Sequence, residues 1–171
     1  MRYLKEMLIQ LCALPLTKFI QTSLTIGTAE SLTGGAIAKA ISSVSGSSRY
    51  FRGGIVAYAT DVKCSLLNVD TSTIERYGVV SREVAESMAM GCREVLNVDF
   101  AIATTGIAGP SGGTALTPVG TVCFSVAGPN GCKSWILHIE GDRSEVVDAA
   151  VEKGVQYLKE SLKSFTASVG R

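Results

Sequence analysis

The order of predicted strands and helices limits the folds that this chain of 171 residues can adopt. Apolar runs predict strands at residues 24–29, 54–59 and 100–106. Between them, apolar residues at helical spacing predict helices at 33–43, 60–67, 70–77 and 81–96. Strands that alternate with helices in this way are typical of α/β folds with parallel strands.

A predicted hairpin late in the chain changes the sheet from parallel to mixed. Predicted strands Gly120–Ala127 and Cys132–Ile139 are joined around Asn130-Gly131, a pair typical of hairpins because both residues tolerate positive φ. A final amphipathic helix is predicted from Asp142 to about Ser164. The sequence therefore predicts one α/β domain over residues 1–171, a three-layer sandwich with a mixed sheet and one late β-hairpin.

Composition and charge exclude several classes of function. Hydrophobic residues make up 46% of the chain and charged residues 18%, which is typical of an ordered globular domain. Sixteen basic residues are scattered among fifteen acidic ones, for a formal net charge of +1. Such a balance gives no basic surface for nucleic acid, so no nucleic-acid partner is expected.

The cysteines and the first twenty residues indicate a cytoplasmic protein without a metal site. None of the five cysteines lies in a C-x-x-C pair and His138 is the single histidine, so reduced thiols and no metal ligand set are expected. Residues 1–20 are apolar, but Glu6, Gln10 and Lys18 interrupt them, which favours an amphipathic helix over a secretory signal. No stretch is long and apolar enough to span a bilayer, and no membrane partner is expected.

Polar loops follow three predicted strands, and two of them are rich in glycine. They read "ESLTGG", "AYATDVK" and "TTGIAGPSGG". Ligands of open α/β sheets collect at the carboxyl ends of strands, and glycine-rich amides at helix N-termini suit a phosphate, although the same glycines also serve tight turns. Neither a G-x-x-x-x-G-K-[ST] loop nor G-x-G-x-x-G after the first strand occurs, so the common nucleotide motifs are excluded.

Four long motifs resemble one family. The stretches "TAESLTGG", "SGSSRYFRGGIVAYATDVK", "YGVVSREVAESMA" and "TTGIAGPSGG…TPVGTV" are similar to the CinA carboxy-terminal domain family, also called the PncC or nicotinamide-nucleotide amidase family. The resemblance runs from about Leu24 to Arg143. It implies hydrolysis of the carboxamide of nicotinamide mononucleotide, a pyridine nucleotide, to nicotinate mononucleotide and ammonia. It further implies no cofactor, a homodimer or larger homo-oligomer, and the stand-alone form without the molybdopterin-binding-like domain of some members.

Amide hydrolysis needs a nucleophile, a base and an oxyanion site. The polar loops contain no histidine, so a Ser-His-Asp triad is excluded, and Cys64 is the only cysteine near them; a Ser-Lys pair remains. The resemblance implies Lys63 as the base, which requires burial to lower its pKa from near 10.4 to about 7. Two serines are open as its partner. Ser48, before the second strand, is favoured as nucleophile, and Ser31, after the first strand, then polarises or binds the substrate.

Further site residues are expected at the same strand ends. Tyr58 is expected to hold the amide or relay a proton, with a core tyrosine as the alternative. Glu30 is expected to orient Lys63 or a ribose hydroxyl, or else to cap neighbouring amides as a structural acid. The other expected substrate-binding residues are Thr33, Gly34, Gly35, Thr105, Gly106, Gly109 and Arg143.

Three positions depart from the family pattern. Ser111 stands where similar proteins usually have Asp, Thr117 where they have Lys, and Val147 where they have a second arginine after "GDR". These differences leave a second function open, a non-catalytic nucleotide-binding or regulatory module of the competence and damage-inducible type. An assay for ammonia release separates the two.

Overall fold

The computed structural model describes residues 23–169, and its five strands form one mixed sheet in the order β2-β1-β3-β4-β5. The strands are β1 (Ile26–Glu30), β2 (Phe51–Val56), β3 (Phe100–Gly106), β4 (Thr121–Gly128) and β5 (Gly131–His138). The helices are α1 (Ala36–Ser42), α2 (Thr60–Leu67), α3 (Thr71–Tyr77), α4 (Arg82–Leu96) and α5 (Arg143–Val169), with a 3₁₀ turn at Ser47–Arg49. The helix predicted over residues 1–20 lies outside the described residues.

The strand directions confirm the mixed sheet and the hairpin. Strand β1 runs parallel to both β2 and β3, while β4 runs antiparallel to β3 and β5. The pairing of Gly128 with Gly131 closes the hairpin where Asn130-Gly131 predicts it. The parallel half of the sheet therefore carries β1 in its middle.

Alternating side chains of β3 show how the three layers are built. Phe100 and Ile102 are buried on one face, in the core that α1 and α5 cover. Ala101 and Ala103 are buried on the other face, against α2, α3 and α4. Alanine lets the helices on that second face lie close to the sheet. The predicted three-layer sandwich is confirmed.

Close contact between α2 and α4 fixes the helix that carries Lys63. A Cβ at Gly91, in the middle of α4, would clash with the carbonyl oxygen of Leu67 at the end of α2. Only glycine allows this approach. The start of α4 is fixed by Ser81, which caps the helix by accepting a hydrogen bond from the Val84 amide at 3.2 Å, as the sequence predicts.

Strand β2 is displaced from its predicted position. The sequence predicts residues 54–59, whereas the strand begins at Phe51 and ends at Val56, because Phe51 already pairs with Ile26 across a register irregularity. After Val56 the chain leaves the sheet, with a last hydrogen bond from the Ala57 amide to the Glu30 carbonyl oxygen. The carbonyl groups of Ala57 and Tyr58 consequently lie beyond the strand and accept hydrogen bonds from a side chain.

The helices that follow β1 and β2 lie on opposite faces of the sheet. Strand β1 leads into α1 on one face, and β2 leads into α2 on the other. A crevice forms where the connections of adjacent parallel strands diverge in this way, and it is the usual ligand site of open α/β sheets. No helix within residues 23–169 is both long and apolar enough to cross a membrane.

Candidate active site

A serine and a lysine meet in the crevice between β1 and β2. Ser31 directly follows β1, and Lys63 lies on α2, the helix that follows β2. The Lys63 Nζ atom lies 2.9 Å from the Ser31 Oγ atom. Both side chains are buried, with 1% of Lys63 and 8% of Ser31 exposed. The fold therefore brings the buried Lys63 amine next to Ser31, one of the two serines that the sequence leaves open as its partner.

The remaining partners of Lys63 suit both of its protonation states. Its Nζ atom donates to the carbonyl oxygens of Ala57 at 2.7 Å and Tyr58 at 3.2 Å. An ammonium group has three N–H donors, which match these two carbonyls and Ser31 Oγ. After loss of a proton, two N–H groups remain for the carbonyls and the lone pair is left for the Ser31 hydroxyl.

Burial makes the neutral amine accessible near neutral pH. Desolvation lowers the pKa of Lys63 from its ordinary value of 10.5 to about 8, against a smaller opposing effect of the neighbouring Cys64. With that pKa, roughly one molecule in ten carries the neutral amine at pH 7. The sequence-based expectation of a lowered pKa is confirmed in direction.

Ser31 is held by its own backbone. Its amide donates to the Thr104 carbonyl oxygen at 3.0 Å, and its carbonyl oxygen accepts from the Gly34 amide at 3.1 Å. These bonds tie the serine to β3 on one side and close a tight turn on the other. Within that turn lie the amides of Leu32 and Thr33, one and two residues after the hydroxyl.

Glu30 fills the place where the sequence predicts a bound anion. It is 1% exposed, and one carboxylate oxygen accepts hydrogen bonds from the Thr33 hydroxyl at 2.8 Å and the Gly35 amide at 3.0 Å. Further bonds come from the amides of Ile37 at 3.0 Å and Ala38 at 2.7 Å. This corrects the substrate-binding role expected of Glu30, Thr33 and Gly35, since the chain's own carboxylate already uses these groups. The alternative of a structural acid fits Glu30.

The cleft beside the Ser31–Lys63 pair has a volume of about 280 Å³. Its walls come from the loops after β1, β2 and β3 and from the start of α5. Among the predicted binding residues, those that line it are Thr105, Gly106, Gly109 and Arg143, together with Tyr58. The Thr105 hydroxyl donates to the Val79 carbonyl oxygen at 2.9 Å, which ties the loop before α4 to β3.

Arg143 and Tyr58 close one side of the cleft. The Arg143 guanidinium donates to the Gly109 carbonyl oxygen at 2.9 Å and to the Tyr58 hydroxyl at 3.0 Å. Tyr58 is 59% exposed, so it is not the core tyrosine that the sequence left open as an alternative. Both acceptors of Arg143 are uncharged, and its positive charge is therefore available to an anionic ligand.

Ser48 lies at the opposite edge of the sheet. It is exposed in the 3₁₀ turn Ser47–Arg49, before β2 begins, whereas Lys63 contacts carbonyl groups just after β2 ends. The six residues of β2 separate the two sites by about 20 Å at the usual rise per residue. The preference for Ser48 as the partner of Lys63 is wrong within this chain, because parallel strands place their beginnings and ends at different edges.

A family model described as the CinA C-terminal domain matches residues 10–162. The chain belongs to this family. A CinA-like protein of Geotalea uraniireducens is 43% identical to this CinA domain over 150 residues, which are 88% of the chain and 36% of that protein. A CinA-like protein of Flavobacterium psychrophilum is 45% identical over 147 residues, 85% of the chain and 35% of that protein. The chain thus spans about a third of the length of these curated relatives.

Solved structures of the family cover nearly the same length as this CinA domain. A CinA superfamily protein from Escherichia coli matches with a TM-score of 0.85 and 33% identity, over 89% of each chain. The competence/damage inducible protein CihA from Agrobacterium tumefaciens matches with a TM-score of 0.85 and 37% identity, over 88% of this chain and 93% of that chain. These matches agree with the α/β architecture described above.

Two of the three positions expected to depart from the family pattern lie at the cleft or beside it. Ser111 lines it, and Val147 lines an adjacent recess beyond Arg143. The described residues bring together no group of three or more His, Cys, Asp and Glu side chains that could hold a metal ion. Sequence reasoning missed the carbonyls of Ala57 and Tyr58 as partners of Lys63, and no sequence signal identifies them because every residue carries a carbonyl.

Proposed function

We propose that this chain hydrolyses the carboxamide of nicotinamide mononucleotide to nicotinate mononucleotide and ammonia, with Ser31 as nucleophile and Lys63 as base. The observation that carries the proposal is the 2.9 Å contact between Lys63 Nζ and Ser31 Oγ at the buried end of a cleft. The motifs that resemble nicotinamide-nucleotide amidases supply the identity of the substrate.

The first half of the reaction forms an acyl-enzyme. The neutral Lys63 amine takes the proton of the Ser31 hydroxyl while the oxygen attacks the carboxamide carbon. The resulting tetrahedral intermediate collapses with cleavage of the C–N bond, and the Lys63 ammonium returns the proton to the leaving nitrogen. Ammonia departs, and the acyl group stays as an ester of Ser31.

The second half of the reaction repeats the same proton transfers with water. Lys63, again neutral, takes a proton from a water molecule as its oxygen attacks the ester carbon. Collapse of the second intermediate returns that proton to Ser31 Oγ and releases nicotinate mononucleotide as the carboxylic acid, which loses its remaining proton to solvent and becomes the carboxylate. The two N–H groups of the neutral amine are enough for the bonds from Nζ to the carbonyl oxygens of Ala57 and Tyr58, so the amine need not move during the cycle.

Backbone amides in the Ser31 turn are the proposed oxyanion donors. The amides of Leu32 and Thr33 follow the nucleophile directly, in a turn that the bond from the Gly34 amide to the Ser31 carbonyl closes. Backbone donors fixed in advance stabilise developing negative charge without reorganisation. The amides of Gly35, Ile37 and Ala38 are excluded from this role because Glu30 occupies them.

Arg143 is the proposed partner of the substrate's phosphate. Its two acceptors in the structure, the Gly109 carbonyl and the Tyr58 hydroxyl, are neutral, and a phosphate would form stronger charge-assisted bonds with it. A mononucleotide whose amide lies at Ser31 would extend toward Arg143 along the cleft, past Thr105 and Gly106. The Tyr58 hydroxyl would then be free to contact the substrate.

The test is ammonia release from nicotinamide mononucleotide by the purified chain and by the variant Ser31→Ala. We expect turnover by the wild type and a loss of about 10³-fold or more in the variant. Ser48→Ala is the matched control, because it removes an exposed serine hydroxyl at the other edge of the sheet, and it should keep kcat within about twofold. Equal loss in both variants would contradict the assignment of Ser31.

One observation favours a second function, a nucleotide-binding module without turnover. Ser111 and Val147, two of the altered positions, lie at the cleft and at the recess beside it, where they would meet the ligand. Calorimetric titration with nicotinamide mononucleotide separates the two functions. Binding that Arg143→Ala weakens, without ammonia release by the wild type, would establish the second one.

A further inference from the structure

A buried carboxylate that the proposed reaction does not use directly precedes the nucleophile. Glu30 is 1% exposed, and its four hydrogen-bond partners are all donors from the following turn and helix. Burial of a charge is costly unless hydrogen bonds compensate for it. A neutral apolar residue would serve packing alone, so the carboxylate indicates a requirement that packing does not explain.

The bonds of Glu30 reach Ser31 through two threonines. The Thr33 hydroxyl donates to Glu30 and lies 2.9 Å from the Thr104 hydroxyl, from which it accepts. The Thr104 carbonyl oxygen in turn accepts from the Ser31 amide at 3.0 Å. Thr33 and Thr104 are 4% and 0% exposed. These hydrogen bonds, together with the backbone of Thr104 and the peptide bond between Glu30 and Ser31, close a buried ring that includes the residue carrying the hydroxyl.

We propose that Glu30 is a positioning residue for Ser31. The Glu30 carboxylate fixes the turn over residues 31–35, so that the serine hydroxyl stays within hydrogen-bond distance of Lys63. The kinetic part of the test rests on the proposed function, whereas the structural part does not. Glu30 does not line the cleft, and its carboxylate and the Lys63 amine share no hydrogen bond, so it acts through Thr33, Thr104 and the backbone.

Both oxygens of the Glu30 carboxylate act as hydrogen-bond acceptors. One carboxylate oxygen accepts from the Thr33 hydroxyl and from two amides, and the other accepts from the Ala38 amide. In Glu30→Gln, one of these positions becomes an NH₂ group that faces a donor, so at least one bond is lost. In Thr33→Val the shape is kept and only the link from Glu30 to Thr104 is lost.

The test uses a thiol at the position of the nucleophile. In Ser31→Cys, the nearby Lys63 ammonium should hold the pKa of the introduced thiol below the ordinary value of about 8.5. The alkylation rate of that thiol by iodoacetamide, followed against pH by peptide mass spectrometry, reports its contact with Lys63 without any substrate. Adding Lys63→Met to this background gives the value for a lost contact.

Glu30→Gln and Thr33→Val are each added to the Ser31→Cys background. We expect each to slow alkylation at pH 7 by about fivefold or more and to move the pH profile toward that of the Lys63→Met double variant. Asp99→Asn is the matched control. Asp99 also accepts hydrogen bonds through its carboxylate, from the Thr25 amide at 2.7 Å and hydroxyl at 2.8 Å, but at the opposite edge of the sheet.

The outcomes separate positioning from stability. If Glu30→Gln or Thr33→Val moves the thiol profile and Asp99→Asn does not, the proposal stands; if all folded variants keep the profile, or all move it equally, the proposal is overturned. Should Glu30→Gln fail to fold, Thr33→Val decides alone. In the Ser31 enzyme we expect kcat to fall about tenfold or more in Glu30→Gln with KM within about twofold. Absence of wild-type turnover would overturn the proposed function and leave the thiol result to decide this one.

Discussion

Two glycine-rich loops at the same edge of the sheet have opposite roles. In the loop over residues 30–35, a buried carboxylate of the chain itself binds the amides that the sequence offers to a phosphate. In the loop over residues 106–113, glycine backbone lines the cleft, and the Gly109 carbonyl accepts a hydrogen bond from Arg143, the proposed phosphate-binding residue. The first loop presents the Ser31 hydroxyl, the proposed nucleophile, and the second forms a wall of the cleft.

The difference lies in what surrounds each loop rather than in its glycines. Exposed amides attract an anion only where the chain supplies none, and Glu30 lies close enough to supply one in the first loop. The second loop has no such carboxylate among its hydrogen-bond partners within the described residues; its Ile107 amide donates to Thr121 and its Gly109 carbonyl accepts from Arg143. The comparison therefore predicts that substitutions in or next to the first loop lower kcat, and that substitutions in or next to the second loop raise KM.

The largest effect on kcat is expected from substitution of Lys63, which is hydrogen-bonded to Ser31 in the first loop. Lys63→Met removes the proposed base and should lower kcat by about 10³-fold or more, with little change in substrate affinity. Steady-state ammonia release measures kcat, and calorimetric titration measures the dissociation constant. A loss below tenfold would mean that another group activates Ser31.

The next effect concerns the dependence of the free energy of unfolding on pH. Because folding lowers the pKa of Lys63 from 10.5 to about 8, the unfolded chain binds one more proton between these values, and the folded state gains stability as pH rises through that window. The free energy of unfolding of the wild type, relative to Lys63→Met, should rise by up to about 3 kcal/mol from pH 8 to 10.5. Urea unfolding at several pH values measures it. A flat difference would contradict burial of the amine.

The same titration sets the pH dependence of the reaction. With Lys63 as base and a pKa of about 8, kcat/KM should increase roughly tenfold per pH unit below 8 and level off above it. A profile that is flat between pH 6 and 9 would exclude an amine base in the free enzyme.

A smaller effect, on affinity alone, is expected at the wall of the second loop. Arg143→Ala should raise KM by about 10- to 30-fold because one charge-assisted contact with phosphate is lost, and kcat should change little. The nucleoside without its phosphate is the control ligand, since it should bind both proteins equally. Equal weakening of nucleotide and nucleoside would place the phosphate elsewhere.

Alanine at one glycine of each loop gives the smallest and most direct contrast. Gly35 and Gly109 both have positive φ, of 96° and 84°, so alanine costs each about 1–2 kcal/mol of stability. In addition, a Cβ at Gly109 would lie 2.6 Å from a Val119 methyl group and would displace the wall of the cleft. We expect Gly109→Ala to raise KM and Gly35→Ala to lower kcat. Thermal melts and steady-state kinetics check both, and identical kinetic changes would remove the distinction between the loops.

Much of the fold was predictable because its signals are local. Asn130-Gly131 fixes the hairpin, Ser81 fixes the start of α4, and the apolar run at residues 100–106 coincides with β3. The start of β2 was not predictable, since its first residues pair with Ile26 through an irregular register that composition does not reveal. Which side chains of a strand face which helical layer could be assigned only from the three-dimensional structure, because helices cover both faces of the sheet.

The site was predictable in residue type but not in arrangement. Lys63 and Ser31 were both expected, yet the preference for Ser48 overlooked two facts about the strands. The length of β2 separates Ser48 from Lys63, and the parallel direction of β1 and β2 brings Ser31 and Lys63 to the same end of the sheet. Strand direction could have been applied to the sequence alone. The role of Glu30 could not, because a carboxylate after a strand caps amides or contacts ligands equally well, and only three-dimensional contacts distinguish the two.

The most direct measurement of the central proposal is the site of acylation. Wild-type protein mixed with nicotinamide mononucleotide, quenched in acid within milliseconds and digested, should contain a peptide with Ser31 heavier by the acyl group of nicotinate mononucleotide. That adduct should be absent from Ser31→Ala and present in Ser48→Ala. An adduct on Ser48, or undiminished ammonia release by Ser31→Ala, would contradict the pairing of Ser31 with Lys63.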